Sequence, residues 1–317
     1  MTVMNVKTMK QWTIAACATV LAACVTFGSV PARAADAQTG QANSGRIVVG
    51  GKNFTEQLVL STLTSQYLAA LGYQTVLKNG LGSTLMRSAQ VNGELDVVWE
   101  YTGTSLILYN HVNDKLSPEE TYQRVKSLDA KQGLAWLNES GINNTYAIAL
   151  PAHADPSIKS ISDYAAWMAA RPKQAHLFAS DAEFAGRSDG LKPMLAAYGI
   201  PFKRRDLKQM DPGLVYTALH NGQVEAGVVY TTDGRVVGFG LHVLADDKHY
   251  FPVYQATPVV RTVVLKAHPQ LEKQLNALAA VLDTPTMTAL NKQVDIDQVP
   301  VDKVAHDFLV SKHLLPQ

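Results

Sequence analysis

The sequence predicts an α/β protein folded as two lobes. Short apolar segments alternate with segments whose apolar residues recur every three or four positions, which is typical of strands and helices in a largely parallel sheet. The alternation comes in two blocks, and two lobes of roughly 100 residues each suit a chain of 317 residues better than one large sheet. Two distant segments also share a helix, an Asn-Gly turn and a buried strand that ends in tyrosine and threonine: LMRSAQVNGELDVVWEYTGT and LVYTALHNGQVEAGVVYTTDG.

The first block follows a polar segment at residues 35–45, which is typical of a flexible lead-in. Its predicted elements are the strand RIVVGGK, the helix FTEQLVLSTLTSQYLAALG, the strand and turn YQTVLKNGLG, the helix STLMRSAQVNG and the strand LDVVWEY. Gly72 and Gly93 each close a predicted helix, as glycine commonly does.

The second block repeats the alternation. Its predicted elements are the strand NNTYAIALP, the helix SISDYAAWMAA, the strand AHLFAS, the helices GLKPMLAAYG and LVYTALHNGQ, and the strand VEAGVVYT. Ser160 or Ser162 is the expected cap of the first of these helices. Both blocks place tyrosine and threonine at the C-terminal end of a strand. We expect a ligand site there, because open α/β sheets bind ligands at that edge.

The N-terminus predicts export. Lys7 and Lys10 precede an apolar stretch from about residue 12 to residue 30, and the small residues Ala32 and Ala34 follow it. This pattern is typical of a signal peptide, here residues 1–34. No later segment approaches the ~18 to 20 consecutive apolar residues that span a bilayer. The mature protein is therefore expected in the periplasm.

Both cysteines, Cys17 and Cys24, lie in this leader. LAAC ending at Cys24 resembles a bacterial lipobox, which would make that cysteine a lipid anchor. Cleavage after Ala34 is the preferred interpretation, since apolar residues continue beyond Cys24. The mature chain then contains no cysteine, which excludes disulfides, thiolate catalysis and cysteine metal sites.

Charge and motifs exclude further classes of protein. Without the leader, 25 basic and 27 acidic residues remain, a formal charge of −2, and no basic stripe stands out. Nucleic acid is therefore not an expected partner. The histidines form no H-x-x-x-H pair, and no glycine-rich nucleotide-binding pattern joins a strand to a helix. We expect neither a metal nor a cofactor.

An exported serine esterase is one alternative. GRSDG at residues 186–190 fits the G-x-S-x-G pattern and would make Ser188 the nucleophile. In a hydrolase this pattern forms a nucleophile elbow, a sharp turn that needs an apolar strand running directly into the serine. Here seven residues separate LFAS from Ser188, so the context does not favour a hydrolase.

Four tyrosines lie at the ends of predicted strands or just after them: Tyr101, Tyr146, Tyr230 and Tyr254. Each alone could be a half-buried core residue with its hydroxyl in water. Together they indicate one cleft whose ring faces suit a cation without hydrogen-bond donors, such as a quaternary ammonium. Lys52 and Arg187 could hold a carboxylate at the other end of a zwitterion. A binding protein for an amino acid or a polyamine is the remaining alternative.

Six segments resemble one family, the extracytoplasmic substrate-binding proteins of ABC importers for glycine betaine, choline and related osmoprotectants. In the family's order and at similar spacings they are GGKNFTEQ, GELDVVWEYTGT, NNTYAIAL, DAEFAGRSDGLKPML, VVYTTDGRV and FPVYQATPVV. Within the family the chain is most similar to the OsmF (YehZ) type. The resemblance implies a non-enzymatic protein that binds a quaternary-ammonium osmoprotectant and delivers it to a membrane permease. We expect a monomer.

The resemblance also implies a type II periplasmic-binding-protein fold, in which the chain crosses twice between two lobes that close over the ligand. Lobe 1 would comprise residues 46–144 and 255–317, and lobe 2 residues 145–254. Carried over by motif, the ligand-binding residues would be Lys52, Tyr101, Thr104, Tyr146, Arg187, Tyr230 and Tyr254.

The segment WEYTGT carries several of these expectations. Tyr101 would offer a ring face to the cation and Thr104 a hydroxyl to the anionic end, with Gly103 allowing a tight turn between them. Glu100 alternates away from Tyr101 along the strand and is expected to be structural. Trp99 replaces a proline found in many family members, and it would either fill the core or alter the pocket wall.

Overall fold

The computed structural model describes residues 45–200 and 203–315. The predicted signal peptide, both cysteines and the lead-in up to residue 44 lie outside these ranges. Within them, no helix combines the length and the apolar character that a membrane crossing requires.

The first part of the described chain supplies four strands of one sheet. Its elements are β1 (Arg46–Lys52), α1 (Thr55–Ala70), β2 (Gln74–Leu81), α2 (Ser83–Val91), β3 (Val97–Tyr101), α3 (Thr102–Thr104), α4 (Pro118–Ala130) and β4 (Leu134–Trp136). A π-helical segment, Ser105–Tyr109, directly follows α3. Such segments are often found at functional sites.

The middle part of the chain supplies a second sheet. Its elements are β5 (Tyr146–Leu150), α5 (Ile161–Ala169), β6 (Phe178–Ser180), α6 (Ala182–Gly186), α7 (Leu191–Tyr198), β7 (Leu207–Gln209), α8 (Pro212–His220), β8 (Ala226–Tyr230), α9 (Gly234–Gly238) and β9 (His242–Val243). Ser160 caps α5 as one of two serines predicted for this role, and Asp163 completes the capping box.

The last part of the chain returns to the first sheet and ends in helices. Its elements are β10 (Ala256–Arg261), α10 (Thr262–Ala267), α11 (Leu271–Ala279), α12 (Thr284–Asp295) and α13 (Val301–Ser311). The strands and helices predicted for the two blocks are all present, and the α/β class is confirmed.

Each sheet has five strands, in the orders β2-β1-β3-β10-β4 and β7-β6-β8-β5-β9. In each sheet two pairings are parallel and two are antiparallel. The prediction of a largely parallel sheet is therefore wrong for half of the pairings. The reason is the path of the chain, because β10 and β5 enter their sheets from the other sheet and run against their neighbours.

Helices cover both faces of the first sheet, as alternate residues of β1 demonstrate. Val48 packs in a cluster with Met86 of α2 and Val125 of α4. Ile47 and Val49 pack on the opposite face with residues of α1 and α11. A sheet covered on both faces leaves mainly its strand ends open to a ligand.

Two segments carry the chain between the sheets, one after β4 and one after β9. They lie side by side and antiparallel, since Asn143 pairs with Gln255. The backbone N–H of Asn144 donates to the carbonyl of Tyr254 at 3.1 Å, and the N–H of Tyr254 donates to the side-chain oxygen of Asn143 at 2.9 Å. The arrangement fits the two-lobed type II fold, while the lobe boundaries at residues 144 and 254 stay a prediction.

Glu139, just before the first crossing, predicts a pH-dependent stability. Burial, reinforced by the charge of Glu119, raises the pKa of Glu139 to about 7, and its Oε1 has no hydrogen-bond partner among the described residues. The folded state thus holds the proton more tightly than the unfolded state, so this stabilising contribution is lost as pH rises from 4.5 through 7. We expect Glu139→Gln to raise the melting temperature by roughly 2 °C or more at pH 8 and to have little effect at pH 4.5.

Differential scanning calorimetry across this range measures the effect. Glu119→Gln is the comparison variant, because it removes the repulsion and keeps the Glu139 carboxyl, although it also removes a favourable charge from the first turn of α4; it should give a smaller gain than Glu139→Gln. A gain for Glu139→Gln that is equal at pH 4.5 and pH 8 would contradict the pKa assignment.

Candidate ligand-binding site

A cavity of about 230 Å³ is lined by residues of both sheets. Six of the seven residues predicted from the sequence line it: Lys52, Tyr101, Thr104, Tyr146, Tyr230 and Tyr254. The cavity lies where β1, β3 and β8 end and where β5 begins. The structure therefore brings together side chains that are up to 202 positions apart in the sequence.

Antiparallel pairing brings two of the tyrosines together. Tyr146 is the first residue of β5 and Tyr230 is the last residue of β8. The register places them directly opposite each other, with ring centroids 5.3 Å apart. Tyr254 lies in the second crossing segment, and its ring meets that of Tyr146 edge-on at 5.3 Å.

Phe54 extends this group of rings to the other sheet. It stacks on Tyr230 at 5.1 Å and on Tyr101 at 6.3 Å between centroids. The five rings of Phe54, Tyr101, Tyr146, Tyr230 and Tyr254 are called the ring cluster below. Phe54 was not among the predicted ligand-binding residues, although it belongs to the motif GGKNFTEQ and lies two residues after the end of β1.

The tyrosines of the ring cluster are neutral phenols. Burial raises the pKa of Tyr101, Tyr146, Tyr230 and Tyr254 well above the ordinary value of 10, and for Tyr101 the nearby Glu56 raises it further. Their hydroxyls remain protonated near neutral pH. The rings thus present the negative face of an uncharged π system to the cavity.

Acidic side chains give the second-sheet wall of the cavity a negative charge. Asp181 and Glu183 flank the first residue of α6, and both line the cavity. Asp181 caps that helix by accepting from the N–H of Phe184, and burial raises its pKa. Glu183 accepts from Ser83 of α2 at 2.8 Å, a hydrogen bond between helices of the two sheets. Neither carboxylate was singled out from the sequence.

Lys52 is buried and paired. Its Nζ lies 2.6 Å from Oε1 of Glu100 and 5.1 Å from the ring centroid of Tyr101. Glu100 also accepts from the hydroxyl of Tyr109, which the π-helical segment places nearby. Glu100 is therefore structural, as predicted. An ammonium has three donors, and one bond to Glu100 leaves capacity for a ligand.

Arg187 does not line the cavity. Its guanidinium forms two hydrogen bonds of 2.7 Å to Asp189. It lies behind the ring cluster, with its central carbon 5.7 Å from the ring centroid of Tyr146 and 5.8 Å from that of Tyr254. Tyr254 also donates to Asp189, so Arg187 and Asp189 together support two rings of the cluster.

Gly103 has a different role from the one predicted. It lies in α3 and is not among the glycines with positive φ, so the backbone there needs no special freedom. A Cβ on Gly103 would lie 2.9 Å from ring carbons of Tyr254 and 2.9 Å from the carbonyl oxygen of Val253. Glycine is needed because the ring of Tyr254 packs directly on this backbone.

Trp99 and Ser188 lie away from the cavity lining. The Trp99 side chain is fully buried, and its indole N–H donates to Thr64 at 2.8 Å, so it fills the core. Ser188 is exposed in the turn between α6 and α7 and does not follow directly on a strand. The geometry of a nucleophile elbow is absent at this serine.

Two five-stranded sheets, two crossing segments and an aromatic cavity between the sheets define a two-lobed solute-binding protein. The chain belongs to the OpuAC family, described as the substrate-binding domain of ABC-type glycine betaine transport systems, whose model matches residues 45–311. Members of this family are substrate-binding proteins of ABC importers, which act outside the cytoplasm. The protein is therefore a binding protein and not an esterase.

Three similar proteins agree with this assignment. The chain is 52% identical to a glycine-betaine-binding protein of Pseudomonas aeruginosa, over 87% of this chain and 91% of the relative. It is 33% identical to the glycine betaine-binding protein YehZ of Escherichia coli K12, over 84% and 90%. A crystal structure described as a glycine betaine/carnitine/choline ABC transporter shares the fold with a TM-score of 0.68 and 26% identity, over 84% of this chain and 99% of that chain.

Proposed function

We propose that the protein binds glycine betaine in the cavity bordered by the ring cluster and delivers it, as a periplasmic monomer, to the membrane permease of an ABC importer. The observation that carries the proposal is the ring cluster itself, to which both sheets and a crossing segment contribute. A quaternary ammonium has no hydrogen-bond donors, and aromatic faces are the protein surface that attracts it. The name of the relative with 52% identity supports glycine betaine as the ligand.

The trimethylammonium end would lie against the rings of Tyr101, Tyr146, Tyr230 and Tyr254. Asp181 and Glu183 add negative charge to the same cavity. Because the cavity is partly closed off from water, these charges attract a cation more strongly than they would in solution. Against the ring faces an ordinary ammonium ion would lose its hydration without gaining acceptors, which favours the methylated cation at that end of the cavity.

The carboxylate end would be held by Lys52 and Thr104, both of which line the cavity. Arg187, the other cation predicted for the carboxylate, lies behind the ring cluster and would act through the rings of Tyr146 and Tyr254. Its Nη1 makes no hydrogen bond among the described residues but lies 3.6 Å from Oε1 of Glu183, an ion-pair distance. Asp189 holds the other side of the guanidinium and fixes its plane.

A thermal-shift screen of the mature protein tests the ligand class. The quaternary compounds of the panel are glycine betaine, proline betaine, choline and carnitine, and ectoine, glycine and putrescine are compounds that lack a quaternary nitrogen. Glycine betaine at 100 times its dissociation constant should stabilise the native state by about 2.7 kcal/mol and raise the melting temperature. A shift with glycine or putrescine and none with the quaternary compounds would contradict the proposal.

A further inference from the structure

Glu56 is a buried carboxylate beside the ring cluster that the function proposed above does not use. It lies in the first turn of α1 and is 2% exposed. Four side chains donate to it, and they come from β3, the first crossing segment, the segment after β8, and α12: Tyr101, Asn144, Thr232 and Asn291. Glu56 thus joins parts of the chain that belong to both sheets.

The two carboxylate oxygens contact different parts of the molecule. Oε1 accepts from the hydroxyl of Tyr101 at 2.7 Å and from Asn144 at 3.0 Å. Oε2 accepts from the hydroxyl of Thr232 at 2.6 Å and, more weakly, from Asn291 at 3.5 Å. The Glu56 carboxylate therefore bridges Tyr101, in strand β3 of the first sheet, and Thr232, which lies just after strand β8 of the second sheet.

The bridge spans the two ends of the ring cluster. Thr232 lies two residues after Tyr230, the last residue of β8, so its bond to Glu56 ties the chain that follows the Tyr230 ring to α1. Tyr101 is held on the other side by Glu56 and by Gln57, whose amide donates to the same hydroxyl at 3.0 Å. Phe54, two residues before Glu56, stacks between the two tyrosine rings.

We propose that Glu56 is a positioning residue that fixes the spacing of the Tyr101 and Tyr230 rings by bonding Tyr101 and Thr232 at once. The inference rests on the proposed function, since it takes these two rings as walls of the cation site. Glu56 would act on affinity through Tyr101 and not by touching the ligand. A phenol that donates to a carboxylate also gains electron density, which makes its ring face a better partner for a cation.

A double-mutant cycle tests the bridge. Tyr101→Phe and Thr232→Val each remove one hydroxyl and keep the shape of the side chain. Calorimetry with glycine betaine should show each variant at least about fivefold weaker in binding, which corresponds to about one lost hydrogen bond for Thr232→Val, whereas Tyr101→Phe also removes the acceptor of Gln57. Because both act through Glu56, the double variant should be clearly less than 25-fold weaker, and Thr232→Val should have no further effect in a Glu56→Ala background.

Thr257→Val is the matched control. Thr257 is equally buried, but its hydroxyl has no hydrogen-bond partner among the described residues, so the same chemical change should leave affinity intact. If Glu56→Ala does not fold, Glu56→Gln serves instead. It keeps one acceptor for Tyr101, and it should weaken binding less than Tyr101→Phe combined with Thr232→Val.

Stopped-flow kinetics separates positioning from a merely structural role. Loss of the bridge should raise the dissociation rate constant of glycine betaine in the folded protein, whereas a structural role would lower only the melting temperature. Additive effects of Tyr101→Phe and Thr232→Val in the cycle would overturn the inference. If wild-type protein binds no glycine betaine, the proposed ligand is wrong, and the cycle is then measured with the panel compound that stabilises the protein.

Discussion

Tyr101→Ala and Tyr230→Ala are each expected to weaken the binding of glycine betaine by at least about 30-fold while the protein remains folded. Each ring in a desolvated site contributes about 2 kcal/mol to the binding of a quaternary ammonium, which is roughly 30-fold in affinity. Removing either ring also removes a stacking partner of Phe54, so the cluster loses more than one contact. Isothermal titration calorimetry measures the loss, and circular dichroism checks the fold.

Tyr230→Phe is the control for this prediction. It keeps the ring and removes only the hydroxyl, so it should retain most of the affinity. Calorimetry that gives wild-type binding for both alanine variants would show that the ring cluster is not the cation site.

Lys52→Met is expected to lower both stability and affinity, for separable reasons. Lys52 and Glu100 form an ion pair with both side chains 4% exposed. Removing the cation leaves Glu100 charged and buried, which costs about 3 to 5 kcal/mol of unfolding free energy. Binding should also weaken by at least about tenfold, since a charge-assisted hydrogen bond contributes about 1.5 to 3 kcal/mol.

The double variant Lys52→Met with Glu100→Gln separates the two effects. It replaces a buried ion pair by uncharged side chains of similar volume, and urea unfolding should show most of the lost stability restored. Binding of glycine betaine should stay weak, because no cation faces the carboxylate. Wild-type affinity in the double variant would exclude Lys52 from the ligand site.

The fold was largely predictable from local pattern, with one limit. Alternating apolar segments, glycine stops and the Ser160 cap located the strands and helices of both blocks. Strand direction was not predictable in the same way, because it depends on which sheet a strand joins after a crossing. β5 and β10 have ordinary strand sequences, and only the three-dimensional path places them antiparallel to β8 and β3.

The site was predictable where a residue type alone suggested the chemistry. The four tyrosines and Lys52 carried such a signal, and all five line the cavity. Glu56, Asp181 and Glu183 did not, since a carboxylate near a helix start is commonly a solvated or capping residue. The burial of Glu56 and the hydrogen bond from Ser83 to Glu183 follow from contacts between the two sheets, and nothing in a local segment reports such contacts.

The pairing of the two crossing segments has a mechanical consequence. Because Asn143 and Gln255 pair side by side, we expect the lobes to bend mainly about one shared axis. Fewer relative motions are then frozen when the cleft closes, and the entropic penalty of capture is smaller than for lobes joined by two separate tethers. A ligand as small as glycine betaine makes few contacts. A lower entropic cost of closure therefore leaves more of the free energy of those contacts to appear as affinity.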